Sequence, residues 1–278
     1  LKRVAAIYGI ETKGRTKNEI SEDVGNAALQ EFGQQMGELR FISRAPEKRQ
    51  QIWRELGVVP RGIDREIVEV MHRTTMGVDQ DYENLMLQGT RAALADGWGG
   101  SMIATELQDI MFGTPGQPWT NGNRQALRSE VNLGVLSKDE VNIVVHGHEP
   151  LLSEMLVVAS QDPEMLELAK KVGAKGISLA GICCTANEVL MRHGIPIAGN
   201  FLQQELAIVT GAVEAMVVDV QCVMESLSNI AECYHTKLIT TSEKAKIPGA
   251  THMHFDEEDA INSAKAIIRV AIENYPNR

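Results

Sequence analysis

The sequence has no apolar run that approaches the roughly 18 residues needed to cross a bilayer, so we expect no membrane span. Basic residues are also in deficit. The 27 Lys and Arg face 37 Asp and Glu, and a formal net charge of -10 disfavours nucleic acid, which is bound by basic surfaces. The first ten residues, LKRVAAIYGI, lack the apolar stretch and cleavage site of a signal peptide. We expect a soluble cytoplasmic enzyme acting on small uncharged molecules, and a chain that begins inside a longer protein.

Cysteine is scarce, with four in 278 residues, and no two of them form a CxxC pair. In a long chain without a secretory signal, thiols are expected to be reduced and used for metal binding or catalysis. The absence of CxxC disfavours a self-contained zinc ribbon and a CxxC redox pair. Two nucleotide-binding motifs are also missing, since the first predicted strand is followed by HGHEPLLS and not by GxGxxG or a Walker A loop.

The two halves of the chain differ in composition. The first 135 residues contain no Cys and one His, and their apolar spacing predicts helices at 16–36, 45–56, 65–72, 81–94 and 101–111. Residues 113–130, rich in Gly, Pro and Asn, predict a loop or linker. Farther along, short β-branched runs alternate with helical patterns. We predict an α/β protein with a helical domain at 1–135 and a Rossmann-like, doubly wound parallel-sheet domain at 136–278.

Five apolar runs predict the parallel strands: 141–145 (VNIVV), 176–182 (GISLAGI), 196–198, 215–220 (AMVVDV) and 237–241. Helical patterns lie around and between them, at 151–172, 186–193, 201–210, 226–234 and 256–272. In an open α/β sheet, ligands bind in the crevice at the carboxyl ends of the strands. The residues that directly follow the strands are therefore the candidates for a functional site.

Three metal-binding residue types lie just past three of these runs: His148, Cys184 and Cys222. Because each follows a strand end, the three side chains could converge on one point. One imidazole and two thiolates indicate a thiolate-rich metal centre. The alternative is structural, because a free Cys often acts as a small buried hydrophobe and a strand-end His can simply bond to the backbone. The residues alone leave both interpretations open.

The residues next to His148, Cys184 and Cys222 lead to further predictions. His146 and His148 are predicted to share a strand face, so that one could ligate a metal while the other orients it. Cys183 and Cys184 are expected to point to opposite faces, and the following helix N-terminus favours a thiolate. Asp219 either faces the crevice or caps the next helix. Four further Cys and His side chains are assigned structural roles: Cys233 in the core, His193 at a helix end, and His252 and His254 in a solvated or capping segment.

At these residues the chain resembles the anaerobic nickel-iron-sulfur carbon monoxide dehydrogenases. The similar stretches are 71–79 (MHRTTMGVD), 92–112 (AALADGWGGSMIATELQDIMF), 131–136 (VNLGVL), 144–150 (VVHGHEP), 181–194 (GICCTANEVLMRHG) and 210–222 (TGAVEAMVVDVQC). The resemblance runs through essentially the whole chain. It implies an oxidoreductase that interconverts CO and CO2, with water supplying the oxygen and two electrons leaving.

The resemblance also implies a ligand set for a cluster of the Ni-4Fe-4S type. His148 and Cys184 would hold a pendant iron, and Cys222 would hold an iron of the cubane portion. Thiolates suit iron-sulfur units, and imidazole suits an iron that keeps a position open for hydroxide derived from water. Asp96, in the glycine-dense stretch ADGWGG, is similar to a family carboxylate near the site and would be a proton or hydrogen-bond partner.

The chain also departs from the family pattern. It lacks the N-terminal Cys motifs that hold additional 4Fe-4S clusters, a histidine-rich helix, and the second α/β domain with the remaining cluster ligands. We therefore expect an internal fragment that supplies about half of an active site and is inactive alone. For the full-length form the resemblance implies a homodimer, a ferredoxin-type electron acceptor and, in some members, an acetyl-CoA synthase partner.

Three alternatives remain. One is the hybrid-cluster type of iron-sulfur-oxygen protein, which shares this architecture and acts on hydroxylamine. Another is a non-catalytic metal-binding scaffold in an acetyl-CoA synthase complex, and the third is a thiol redox protein using Cys183 and Cys184. The HGHEP and ICCTANEVLMRHG stretches favour the dehydrogenase over the hybrid-cluster type, and the strained eight-membered ring of a disulfide between adjacent cysteines disfavours the thiol redox protein.

Overall fold

The computed structural model describes residues 1–97, 128–220 and 222–278. The chain divides into two compact units, Leu1–Gly113 and Thr114–Arg278. The helix predicted at 101–111 and all but the end of the loop predicted at 113–130 lie outside the described residues. No helix in the described parts of the chain combines the length and apolar character that a bilayer-spanning helix requires.

The first unit is helical in its described part. Its elements are α1 (Lys2–Ile7), α2 (Lys17–Gln30), a 3-10 turn (Arg40–Arg44), α3 (Glu47–Glu55), α4 (Ile63–Arg73) and α5 (Tyr82–Leu94). A capping box starts α2, because Thr16 accepts the Glu19 N–H and Glu19 accepts the Thr16 N–H. The side chain of Asp81 caps α5 by accepting the N–H of Asn84 at 2.9 Å.

A buried carboxylate joins α4 to α5. Glu66 of α4 is fully buried, and Arg61, Gln88 and Arg91 all donate to it, with Arg61 Nε 3.1 Å from Oε1 and Gln88 Nε2 3.0 Å from Oε2. Burial raises the pKa of this carboxyl, but the hydrogen bonds from Arg61 and Gln88 outweigh burial and leave the pKa below its usual value. The ionised form of Glu66 is therefore stable in its buried position, and its hydrogen bonds connect α4 to α5.

The second unit is built on a parallel sheet, with six strands in its described residues. They are β1 (Val141–His146), β2 (Ile177–Ile182), β3 (Ile197–Gly199), β4 (Ala215–Val218), β5 (Lys237–Thr240) and β6 (Thr251–His252). Their order is β3-β2-β1-β4-β5-β6, so the order reverses between β1 and β4. This is the doubly wound order of a Rossmann-like sheet, and it confirms the predicted fold class.

Six α-helices accompany the strands in the described part of this unit. They are α6 (Pro150–Ser160), α7 (Pro163–Lys171), α8 (Cys183–Glu188), α9 (Gln204–Val209), α10 (Leu227–Ala231) and α11 (Ala260–Asn274). The single helix predicted over 151–172 is wrong, because Asp162 caps a new helix whose first turn contains Pro163. The two-residue β6 was missed, and His252, predicted to be in a solvated or capping segment, lies in it.

Hydrophobic cores cover both faces of the sheet. Every residue of β1 is buried, and along it Ile143 and Val145 face the cluster formed with α6, α7 and α11. Val144 faces the opposite cluster, formed with α9 and α10. Strands of a parallel sheet that is covered on both faces are apolar along their whole length. The apolar runs in the sequence therefore predict the strands directly.

The segment 131–135, which the sequence analysis assigned to the helical domain, packs with the second unit. Val131 pairs in parallel with Ile197 of β3, and Leu133 and Val135 contact the cluster beneath the sheet. The segment is accordingly part of the compact unit Thr114–Arg278.

A polar network ties the amino ends of the strands together. The buried carboxylate of Glu214 accepts the Asn142 N–H at 2.6 Å and two hydrogen bonds from Arg278, at 2.7 and 2.6 Å. His235 Nε2 lies 3.2 Å from the same carboxylate, and the Asn274 amide donates to the Glu214 carbonyl at 2.8 Å. This network stabilises the end of the sheet opposite the candidate site.

Candidate metal centre

The three loops that carry the predicted ligands leave the sheet side by side. In the register of β1, His146 lies opposite both Ile182 of β2 and Val218 of β4. The loops that begin at 147, 183 and 219 therefore start next to one another at the carboxyl edge, where the strand order reverses. The sequence-based prediction that the candidate residues lie at this edge depends on the same parallel arrangement of strands.

The loop after β1 turns at Gly147 and is held by Asp219. Gly147 has φ +140°, and a Cβ added there would lie 1.9 Å from Asp219 Oδ1, so a larger residue would collide with the carboxylate. The N–H of His148 donates to Oδ1 at 2.7 Å and the N–H of Glu149 donates to Oδ2 at 3.1 Å. The close approach of backbone and carboxylate thus places the His148 loop.

Asp219 is nearly inaccessible to solvent, with 1% of its surface exposed. Burial raises the pKa of its carboxyl to about 6, although hydrogen bonds from the backbone N–H groups of His148, Val220 and Glu149 act in the opposite direction. The sequence left two roles open for this residue, facing the crevice or capping a helix. In the structure it contacts the loop of the neighbouring strand.

The loop after β2 is attached to the loop after β1. The N–H of Thr185 donates to the carbonyl of Gly147 at 2.9 Å, and the Thr185 hydroxyl lies 3.0 Å from the hydroxyl of Ser153. Cys183 and Cys184 form the first turn of α8 and not the end of a strand. The expectation that they point to opposite faces assumed strand geometry, and that assumption is wrong.

Cys183, Cys184 and Cys222 lie close enough to influence one another. Burial raises the pKa of the Cys183 thiol to about 12, and the neighbouring Cys222 and Cys184 add to the effect, Cys222 also through a hydrogen bond. The expected stabilisation of a thiolate at the helix N-terminus is thus outweighed for Cys183. Sequence reasoning placed Cys184 and Cys222 in the site and missed the contact of Cys183 with Cys222.

Two of these cysteines have strained backbones. Cys183 has φ +63° and Cys222 has φ +38°, and among the described residues they are the only non-glycine positions with positive φ. A side chain in this region costs energy, so such conformations persist only where the surroundings impose them, and they concentrate at functional sites. Both strained residues carry thiols that meet at the same edge of the sheet.

Gln204 is a buried residue of the site that the sequence did not reveal. Its Oε1 accepts the Met224 N–H at 3.1 Å and lies 3.0 Å from His146 Nε2, while its Nε2 donates to the Phe201 carbonyl at 2.8 Å. Since Oε1 is an acceptor, the His146 proton is assigned to Nε2. Burial lowers the pKa of His146, which favours the neutral imidazole. His146 therefore contacts Gln204, whereas the sequence predicted that one of His146 and His148 would orient the other.

The structure places the remaining candidates as follows. Cys233, predicted in the core, is exposed, because α10 ends at Ala231 and Cys233 lies beyond it. Asp96 is exposed and follows α5 in the first unit, and its role near a metal stays a prediction. Within residues 1–97, 128–220 and 222–278, no three His, Cys, Asp or Glu side chains are arranged to hold a single metal ion. The ligand set His148, Cys184 and Cys222 likewise stays a prediction.

The available donors nevertheless suit a nickel-iron-sulfur cluster. Thiolates bind nickel and iron-sulfur units, and imidazole binds iron. The thiols of Cys183, Cys184 and Cys222 lie close to one another, and metal ions bind thiols in the thiolate form. Two of the three, Cys184 and Cys222, are the predicted ligands.

Comparison with known proteins supplies the deciding observation, because the Prismane/CO dehydrogenase family matches residues 1–278. The chain belongs to this family. It is 58% identical over 275 residues to carbon monoxide dehydrogenase 1 of Methanosarcina mazei, covering 99% of this chain and 42% of the relative. It is 49% identical to the carbon monoxide dehydrogenase/acetyl-CoA synthase subunit beta of Moorella thermoacetica, covering 100% of this chain and 40% of that subunit.

The fold agrees with a solved family structure. The nickel-free carbon monoxide dehydrogenase of Thermococcus sp. AM4 superposes with a TM-score of 0.85 at 53% identity, covering 100% of this chain and 43% of that one. The chain thus spans well under half the length of the relatives it matches. The activity of the whole protein is accordingly a matter of inference from this part.

Proposed function

We propose that the protein containing these 278 residues is a carbon monoxide dehydrogenase, which catalyses CO + H2O → CO2 + 2 H+ + 2 e- in either direction. The observation that carries the proposal is 58% identity, over 99% of the chain, to a protein named for this activity. The convergence of a His loop and two Cys loops at the switch point of the sheet supports it independently. This chain supplies part of the site and is expected to be inactive alone.

The proposed ligands are His148, Cys184 and Cys222, which would hold a cluster of the Ni-4Fe-4S type. When bound, such a cluster provides a metal that binds CO, a metal that activates water and a store for two electrons. The relative from Thermococcus sp. AM4 was solved in a nickel-free form, which is consistent with nickel as a separable component. Further ligands and additional 4Fe-4S clusters are assigned to the remainder of the full-length protein.

The chain's own groups prepare the site. Asp219 and Gln204 hold the loops of the proposed ligands His148 and Cys222 through hydrogen bonds to their backbones. The Cys184 and Cys222 thiols lose their protons when metal binds, and the metal charge stabilises the resulting thiolates. We assign Asp96 the role of proton or hydrogen-bond partner, on the family resemblance alone.

The partners follow from the same proposal. Two electrons per turnover require an acceptor, for which we propose a ferredoxin-type protein, and we propose a homodimer for the full-length form. The Moorella relative is named as a subunit of a dehydrogenase/synthase, so an acetyl-CoA synthase is the proposed complex partner. The expected compartment is the cytoplasm, where thiols remain reduced.

The test is anaerobic preparation of the full-length protein, with nickel and iron measured per chain beside CO-dependent dye reduction. We expect about one nickel per chain, and loss of dye reduction in His148→Ala and Cys184→Ala. Cys233→Ser, at an exposed thiol outside the site, is the matched control and should keep both nickel and activity. Iron without nickel, together with hydroxylamine reduction, would support the hybrid-cluster alternative and contradict the proposal.

A further inference from the structure

One buried carboxylate connects two of the loops at the candidate metal centre. Asp219 follows β4 on the loop that leads to Cys222, yet it accepts hydrogen bonds from His148 and Glu149 on the loop after β1, at 2.7 and 3.1 Å. It also accepts the N–H of Val220 on its own loop. This side chain therefore links the His148 loop to the Cys222 loop, beside the bond that the Asp219 N–H donates to the His146 carbonyl at 3.3 Å.

The partners of this carboxylate are unusual for a buried charge. Its described hydrogen bonds all come from backbone N–H groups, and no Lys or Arg contributes to its stabilisation. Burying a carboxylate without a cation is costly, and an apolar side chain could fill the same volume at the end of β4. The buried carboxylate is thus hard to explain as a contribution to core stability. Its contacts hold the backbone of His148 and Glu149 at hydrogen-bond distance from Asp219.

Gly147 allows the backbone of the His148 loop to approach the Asp219 carboxylate. With φ +140° it lets the loop pass so close that an added Cβ would lie 1.9, 2.3 and 2.6 Å from the three carboxylate atoms of Asp219. This approach brings the next N–H, that of His148, to its 2.7 Å contact. The carboxylate of Asp219 lies where a Cβ of residue 147 would be, so this contact requires glycine at position 147.

We infer that Asp219, together with Gly147, is a positioning residue that orients His148 toward the metal centre by holding its backbone. Metal-ligating histidines are commonly oriented through the second ring nitrogen. Here the carboxylate acts on the main chain of the histidine, from a position on the loop that leads to Cys222. The inference rests on the proposed function, in which His148 binds metal.

The test uses the full-length protein reconstituted with 57Fe, and variants Asp219→Ala, Asp219→Asn and His148→Ala. Mössbauer spectra report the iron site that depends on His148. Asp219→Ala should reproduce the spectral change of His148→Ala, and combining the two substitutions should add nothing further, because Asp219 acts through His148. Asp219→Asn should retain most of the parent spectrum, since its amide oxygen can still accept from His148 and Val220.

Hydrogen exchange provides a readout that does not depend on metal. In metal-free protein, exchange at the amides of His148 and Glu149 should be at least tenfold faster in Asp219→Ala than in the parent, with Asp219→Asn between them. Gly147→Ala should be severely disruptive in the parent and less so with Asp219→Ala, because the second substitution removes the colliding carboxylate. Such coupling distinguishes positioning from general loss of stability.

Asn274→Ala is the matched control, because it breaks hydrogen bonds to Glu214 and His235 at the opposite end of the sheet. It should lower Tm without changing the spectrum. An unchanged spectrum in Asp219→Ala, while His148→Ala alters it, would overturn the inference and leave the proposed function standing. If His148→Ala itself leaves iron and nickel unchanged, the proposed ligand set fails, and this inference fails with it.

Discussion

The backbone N–H of Thr185 donates to the carbonyl of Gly147 at 2.9 Å. This bond joins the first turn of α8, which carries Cys183 and Cys184, to the loop that carries His148. The register of β1 with β2 places the starts of these segments side by side. The candidate metal centre is thus held together by backbone bonds between adjacent loops, before any metal contributes.

The thiols of the centre are predicted to differ in reactivity when metal is absent. In the metal-free full-length protein, Cys183 should alkylate at least tenfold more slowly than the exposed Cys233 at pH 8, because a thiol with a pKa of about 12 carries almost no thiolate there. Peptide mass spectrometry after a timed iodoacetamide pulse measures both rates. Equal rates would show that Cys183 is neither buried nor influenced by Cys222.

The two adjacent thiols are predicted to differ in their importance for metal. Cys184→Ser should lose iron and nickel, whereas Cys183→Ser should keep nearly all of both, because the proposed ligand is Cys184. Metal analysis of the two full-length variants decides between them. Loss of iron in Cys183→Ser alone would move the ligand assignment to the thiol that contacts Cys222.

Gln204→Ala should destabilise the loop that carries Cys222. The substitution removes the acceptor of the Met224 N–H and the partner of His146, leaving buried polar groups unpaired at a cost of about 1–3 kcal/mol. Denaturant unfolding measures the loss, and the metal content should fall with it. Leu202→Ala, at an exposed neighbouring position, is the control and should change neither quantity. Wild-type stability in Gln204→Ala would show that the network does not hold this loop.

Removing Arg278 should destabilise the α/β unit without affecting the metal centre. Glu214 is fully buried and would lose two short hydrogen bonds, so Arg278→Ala should cost about 3–5 kcal/mol. Lys175→Ala, which breaks an exposed pair with Asp139, should leave stability nearly unchanged, because solvent screens exposed ion pairs. Unfolding curves of the two variants test the contrast, and similar losses would contradict the role assigned to this network.

The first unit should show a pH dependence that originates at Glu31. This buried carboxyl has its pKa raised from 4.5 to about 7, chiefly by burial, while the N–H of Arg40 donates to it. A raised folded-state pKa favours the protonated form, so its contribution to stability is complete below about pH 4.5 and is lost as the pH rises to about 7. Hydrogen exchange in α2 of the full-length protein should report this loss.

Glu31→Gln should remove that dependence, because the amide stays neutral across the whole range. The measured quantity is the difference in the opening free energy of α2 between variant and parent at pH 4.5 and at pH 7. Glu22→Gln, at an exposed position of the same helix, is the control. A constant difference between Glu31→Gln and the parent over this range would mean that folding does not raise the pKa of Glu31.

The sequence predicts the sheet well because its strands are buried on both faces. Five of the six strands in the described residues coincide with apolar runs, and the sixth, β6, has only two residues and no such run. The break between α6 and α7 was missed, although the capping Asp162 and the following Pro163 are visible in the sequence as a helix start. The helical spacing of apolar residues continues across 151–172 and conceals this local signal.

The sheet edge at which the candidate residues lie was predictable, and the contacts between them were not. Strand ends placed His148, Cys184 and Cys222 at one edge, since parallel strands share that edge. The contact of Asp219 with the His148 backbone depends on two loops with no fixed spacing in sequence, so no local pattern predicts it. The positive φ of Cys222 is likewise imposed by the surrounding structure and is invisible in residue types.

We propose that the segments that follow β1, β2 and β4 meet at one metal centre. Anomalous X-ray diffraction from crystals of the full-length protein, collected at the iron and nickel absorption edges, locates the metals relative to these segments. We predict metal peaks within about 2.0–2.4 Å of an imidazole nitrogen of His148 and of the sulfurs of Cys184 and Cys222. Metal peaks that lie beyond bonding distance of all three side chains would contradict the claim.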